Sequence, residues 1–153
     1  MPLLELNISA NQHLFQFSRP QATILDWDED LPDSIQNAAG RPDVIMYGLM
    51  PASCLPTPYL LLTYKSLFSM ADVTYNTSSF PALIRTLSRL ISLPGRTRPP
   101  MVLLGYKERD PSERTLWDMA KGIGIVFKEV GERKGAGGEN VEIWIGTVKN
   151  QKT

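Results

Sequence analysis

The sequence predicts an α/β fold, a largely parallel sheet interleaved with helices and finished by an antiparallel hairpin. Three observations predict it. Strand-like and helix-like segments alternate through the middle of the chain. The segment "ALIRTLSRLISL" carries Leu83, Leu87, Leu90 and Ile91 at the i, i+4, i+7 and i+8 spacing of an amphipathic helix. The chain then closes on "IVFKEVGE" and "NVEIWIGTV", two strand-like runs joined by the glycine-rich "RKGAGGEN".

Taken in order, "PLLELNISANQ" sets Leu3, Leu4, Leu6 and Ile8 among polar residues and predicts a short helix. "QATILDW" predicts a strand from Gln21 to Leu25 that closes on Asp26 and Trp27. The acidic connector "DEDLPDSIQNAAGRPD" holds one or two helical turns, and a second strand begins at Asp43. Ser78 or Ser79 can cap the helix of "ALIRTLSRLISL", with Pro81 tolerated in its first turn. "MVLLGY" reads as a buried strand. In "DPSERTLWDMAKGIG", Asp110 is the cap, Pro111 the first helical residue, Glu113 the capping-box partner and Gly122 the stop. Leu116, Met119, Ala120 and Ile123 make the buried face of that helix. A phosphate-binding loop requires strand, glycines, then helix, so strands on both sides of "RKGAGGEN" favour a hairpin.

Composition narrows the function. At 153 residues the chain is one domain's worth. Its 16 basic and 16 acidic residues balance, which argues against a strongly basic nucleic-acid binder. One cysteine, Cys54, cannot form an internal disulfide and favours a reducing compartment, cytosol or nucleus. With a single histidine, His13, a soft-ligand metal site is not expected. The N-terminus is no secretory signal. The longest apolar run, "YLLLTY", is far short of the roughly 20 residues of a membrane span.

The order "LELNISAN", "TILDW", "PDVI" with "ADVTYN", "LLGYKERD" and "VEIWIG" resembles the C-terminal two-thirds of the seven-stranded, Rossmann-like protein-lysine methyltransferases, class I enzymes that use S-adenosylmethionine. The resemblance implies roles for individual residues. Asp26 and Trp27 match the motif whose aromatic lies against the cofactor's adenine. Asp72 and Tyr75 match the acid-x-x-aromatic motif that faces the target lysine. Tyr106 and Arg109 match the polar end of the family's fifth strand, near the substrate mouth. The implied partner is a protein carrying the target lysine.

Plainer readings stand beside these. Asp72 and Tyr75 fit a strand-end acid and a partly buried tyrosine before a helix cap. Trp27 fits a core residue, and "YKERDPSER" fits a charged loop feeding a capped helix. The whole chain also fits a non-catalytic Rossmann-like interaction module or, less well, an NAD-binding domain that lacks its glycine fingerprint.

Two departures from the family pattern shape the expectation. No segment reads strand, acid-x-G-x-G turn, helix, and no second strand supplies a ribose-binding acid. The expected domain over residues 1–153 is therefore a partial sheet lacking the family's first two strands, binding cofactor weakly or not at all. Residues 47–69, "YGLMPASCLPTPYLLLTYKSLFS", form an atypical insertion with Lys65 as their one charge. Deleting them joins the flanks as "PDVIM-MADVTYN", one continuous strand into the Asp72 motif. Hence the segment is read as a retained intron, with a genuine apolar insertion as the alternative.

Overall fold

The computed structural model describes residues 2–14, 25–36, 44–46, 67–71, 73–94, 99–135 and 137–149. The N-terminal segment forms helix α1 (Pro2–Ala10), as its leucine spacing predicts, followed by a 3-10 turn at Gln12–Leu14. The expected strand at Gln21 to Leu25 lies outside the described residues except for Leu25, which packs against the core. In the acidic connector, one helical turn, α2 (Asp33–Gln36), buries Ile35 beside Leu31.

Five strands make one mixed sheet: β1 (Val44–Met46), β2 (Leu67–Ala71), β3 (Met101–Tyr106), β4 (Ile125–Lys134) and β5 (Asn140–Val148). Their order is β1-β2-β3-β5-β4. The first three run parallel, with Val44 opposite Phe68 and Leu67 opposite Met101. Strand β5 lies antiparallel between β3 and β4, and Met101 faces Thr147 while Tyr106 faces Glu142.

With residues 47–69 present, "VIM" and "LFSMA" form β1 and β2, two separate parallel neighbours. Parallel pairing demands a connection of a dozen residues or more, and residues 47–66 supply that length. Leu67, Phe68 and Ser69, assigned to the insertion, are strand residues, and Phe68 is wholly buried.

Helix α3 (Phe80–Ile91) buries Leu83, Leu87 and Leu90 completely, as the apolar stripe requires. Each such leucine contributes about 1.5–3 kcal/mol of transfer free energy. The cap differs from the expectation. Neither Ser78 nor Ser79 caps through its side chain. Instead Asn76 Oδ1 accepts from the Ser78 amide at 3.2 Å and its hydroxyl at 2.8 Å, opening a 3-10 turn (Thr77–Ser79) ahead of the helix. The 79–80 boundary is thus prepared one turn early, with Pro81 just inside it.

Asp110 does cap its element: Oδ1 accepts from the Ser112 amide at 2.8 Å. The first turn is 3-10 (Pro111–Arg114) and passes into α4 (Thr115–Gly122), with Leu116 and Ala120 fully buried. The left-handed residue behind the helix is Gly124, at φ 88°, rather than Gly122. Its amide donates to Lys121 O at 3.0 Å, and its carbonyl accepts from Lys149 N at 2.9 Å. The C-terminal hairpin forms as read. Gly135 N donates to Glu139 O at 2.7 Å across its mouth.

The core lies between the sheet and α3 with α4. Phe68, Met70, Val102, Leu104, Tyr106 and Ile125 meet Leu83, Leu87, Leu90 and Leu116 there. All six residues of β3 are buried, so the central strand is covered on both faces.

Candidate functional site

Strands β2 and β3 leave the sheet at the same edge, because they are parallel and Ala71 faces Gly105. In open α/β sheets the carboxyl ends of the strands are where ligands gather. Beyond β2, Asp72 lies outside the described residues. Val73 and Thr74 are buried, and Tyr75 stands 68% exposed. Its ring is therefore at the surface rather than forming part of an enclosed wall.

Trp27 is partly buried against the core cluster, and α3 holds the chain around it. Arg85 Nη2 donates to the Trp27 carbonyl at 2.8 Å, and the buried Thr86 hydroxyl donates to the same oxygen at 3.3 Å. Arg85 also pairs with Asp28 at 3.4 Å, while Arg89 pairs with Asp30 at 2.7 Å. Two arginines one helical turn apart thus clamp the acidic connector to the helix that follows the Asp72 motif. Asp26 is exposed, and its Oδ1 accepts from the Asp28 amide at 2.9 Å, tightening the turn.

Tyr106, at the end of β3, is wholly buried. Its ring meets Trp117 edge-on at 4.8 Å, and Trp117 in turn meets Trp144 at 5.2 Å. Over these rings lies the Arg114 guanidinium, 4.7 Å from the Tyr106 centroid, 5.2 Å from Trp117 and 5.7 Å from Trp144. Distances below about 6 Å place it in cation–π range of all three. Arg114 Nε donates to Glu108 at 2.7 Å, and Nη2 donates to Glu142 at 2.8 Å. Glu142 is itself held by the Trp144 indole N–H, at 2.8 Å. Arg109, by contrast, is exposed beyond the strand end.

The electrostatics follow from this enclosure. Burial pushes the Tyr106 phenol up to about 12; Arg114 opposes the shift, Glu113 and Glu108 add to it by their charge, and Glu113 adds a little more through a side-chain hydrogen bond. Burial also works against the charge of Arg114, but its hydrogen bonds to Glu142 and Glu108 outweigh that and hold it more firmly protonated than usual. Three buried polar atoms make no close hydrogen bond among the described residues: the Tyr106 hydroxyl and Glu113 Oε2, which interact only loosely with each other, and the Trp117 indole nitrogen. Glu113, expected as a capping residue, is 3% exposed and belongs to this cluster.

Hence the sequence reading named Tyr106 but missed Glu108, Glu113, Arg114, Trp117, Glu142 and Trp144. Among the described residues no three side chains gather as a metal site.

A lysine methyltransferase family model matches residues 59–122. The resemblance read from the sequence is shown over that stretch. It contains Asp72, Tyr75, Tyr106 and Arg109 together with β2, α3, β3 and α4, while Asp26 and Trp27 lie outside it. The match begins within residues 47–69. No curated protein matches the chain.

Proposed function

We propose that this chain is part of an S-adenosylmethionine-dependent protein-lysine methyltransferase, with the lysine presented by a substrate protein. The observation that carries the reading is the family match, which takes in both the Asp72–Tyr75 and the Tyr106–Arg109 segments. The strand order β2-β3-β5-β4 supports it. In a Rossmann-like methyltransferase sheet of order 3-2-1-4-5-7-6, these would be strands four, five, seven and six, with the last-formed strand antiparallel between its neighbours.

Bound S-adenosylmethionine would supply an electrophilic methyl group. Trp27 and Asp26 fit its adenine end, since Trp27 is fixed on one side by the core and α3 yet stays partly open. The glycine-rich turn and ribose-binding acid of the family have no counterpart among the described residues. Weak cofactor affinity is therefore part of the proposal.

The chemistry asked of the chain's own residues is mainly positioning, which can supply on the order of 7–11 kcal/mol. A lysine arrives as an ammonium with a pKa near ~10.4 and must lose a proton before it can act as a nucleophile. Asp72 orients the ammonium but, as a carboxylate, raises its pKa. Desolvation beside Tyr75 lowers it, and water takes the proton. Tyr75 must then fold inward on a substrate, because alone it is 68% exposed.

That exposure, with the sealing of Tyr106, favours a second reading: a non-catalytic interaction module that keeps the sheet as a protein-binding surface. Calorimetric titration with S-adenosylhomocysteine separates the two. The enzyme reading expects saturable binding that Trp27→Ala weakens at least tenfold, about 1.4 kcal/mol. A folded chain that takes up no ligand leaves the interaction module.

A further inference from the structure

Trp27 lies in an acidic stretch between exposed Asp26 and Asp28, yet its backbone is fixed from two directions. On one side, Asp26 Oδ1 accepts from the Asp28 amide at 2.9 Å and closes a turn around the residue. On the other, the Trp27 carbonyl takes two donors from helix α3, Arg85 Nη2 at 2.8 Å and the Thr86 hydroxyl at 3.3 Å. A carbonyl oxygen has two lone pairs, so this one is saturated. The ring packs against the core while staying partly open.

We propose that Arg85 and Thr86 are positioning residues for Trp27, fixing its ring in the place from which it meets the adenine of bound S-adenosylmethionine. That the ring's ligand is an adenine rests on the methyltransferase reading; the fixing of the ring does not.

Two observations separate this from ordinary surface pairing. The first is Thr86, which is 1% exposed, so its hydroxyl must be satisfied within the protein. The acceptor it meets is a main-chain atom of Trp27, which fixes that residue whatever the neighbouring side chains do. Packing alone would be served as well by a valine, which has the same shape and no donor.

The second is what the arginines bind. Their carboxylate partners, Asp28 and Asp30, are 85% and 83% exposed, and exposed ion pairs contribute little to stability. Each arginine also donates to a carbonyl, Arg85 to that of Trp27 and Arg89 to that of Glu29 at 3.0 Å. Contacts to alternate main-chain carbonyls follow the course of the chain rather than the charge of its side chains. They hold the segment in register along one turn of α3. The same helix starts just beyond Tyr75, so the two ends of the proposed site share one element. A ring held in place beforehand need not be ordered when its ligand arrives, which favours binding.

The test compares wild type with the double variant Arg85→Met/Thr86→Val, which removes both donors, and with Arg85→Lys/Thr86→Ser, which keeps a donor at each position. Indole N–H signals are followed by NMR, with that of Trp27 assigned by its loss in Trp27→Phe. The chain has three tryptophans, and Trp117 and Trp144, which pack on each other at 5.2 Å, serve as internal controls. The donor-free variant should move the Trp27 signal and speed its exchange with water, leaving Trp117 and Trp144 in place. The conservative variant should restore the wild-type signal. In parallel, affinity for S-adenosylhomocysteine should fall roughly three- to tenfold in the donor-free variant, the cost of ordering one side chain on binding, and return in the conservative one.

An unmoved Trp27 signal in the donor-free variant would overturn the proposal, as would three indole signals that move together. So would a conservative variant that behaves like the donor-free one, or equal affinities where wild type binds. If the donor-free double variant fails to fold, Arg85→Met and Thr86→Val are measured singly, and failure of both to fold makes these residues structural and also overturns it. A wild type that takes up no S-adenosylhomocysteine removes the methyltransferase reading alone, and the indole signals then decide the positioning by themselves.

Discussion

Replacing Tyr106 by phenylalanine removes one oxygen and leaves the ring where it is. Normally the loss of a buried tyrosine hydroxyl is costly, because a hydrogen bond goes with it. Here that hydroxyl makes no close hydrogen bond among the described residues, and its one side-chain partner, Glu113, is the least of the influences on its pKa. An unsatisfied hydroxyl carries a desolvation penalty of about 1–3 kcal/mol. The ring contacts to Trp117 at 4.8 Å and Arg114 at 4.7 Å are common to both side chains. Tyr106→Phe is therefore expected to be no less stable than wild type at neutral pH, and up to about 1 kcal/mol more stable. Alkaline pH provides an independent check. The folded phenol is pushed up to about 12, chiefly by burial, whereas in the unfolded chain it titrates near ~10. Between those values the unfolded chain loses the proton and the folded chain keeps it, so stability falls as pH rises. A shift of this size is worth on the order of 2–3 kcal/mol, fully present below pH ~10 and lost on approaching ~12. Urea unfolding, followed by tryptophan fluorescence at neutral pH and at several points above pH ~10, measures both effects. Wild type should lose stability relative to Tyr106→Phe as the pH climbs. The reasoning is refuted if the variant is more than about 1 kcal/mol weaker at neutral pH, or if the two alkaline slopes coincide.

Two further substitutions test the frame around the site. Gly146→Ala would put a methyl group 2.8 Å from both Ile125 Cγ2 and Phe127 Cε1. Overpacking of this kind costs about 1–3 kcal/mol, read as a lowered thermal midpoint, and Phe127→Leu in the same chain should recover part of it. Asp110→Ala removes the acceptor for the Ser112 amide and should lower the midpoint at neutral pH. Hydrogen bonds from Ser112 hold the Asp110 carboxyl below its usual range. The stabilisation is thus present above the unfolded carboxyl pKa of ~3.9 and fades as the pH falls through the folded value, so the two proteins should converge in acid.

The helices α3 and α4 and the C-terminal hairpin were legible because their signals are local. The stripe Leu83, Leu87, Leu90 needs no knowledge of what it packs against, and the Asp110–Pro111 start is written in adjacent residues. The separation of β1 from β2 was not legible. Short apolar runs are ambiguous, and "LFSMA" could be divided anywhere until a partner strand fixed Phe68 opposite Val44 and Val102. The cap at Asn76 was hidden by two serines nearer the helix, either of which has the right chemistry. The Arg85 and Arg89 clamp joins segments nearly 60 positions apart, and no local pattern reports a contact of that range.

The place of Tyr106 at the end of a strand was legible, but its orientation was not. The sequence places Tyr106 at the last position of β3, yet it says nothing about which face the residue takes. Ordinarily alternation along the strand would answer that. In "MVLLGY" it cannot, because the strand is buried on both sides and its residues do not alternate in polarity. The face is set from outside, by the register that puts Glu142 opposite Tyr106 and by α4, which lays Trp117 over the ring. That same register brings Trp144 beside Leu104 and aligns Glu142 with Arg114. The β3–β5 pairing and α4 together therefore gather Tyr106, Arg114, Trp117, Glu142 and Trp144 into one charged aromatic cluster. Reading any one of them as a lone functional residue misses what gives the group its chemistry.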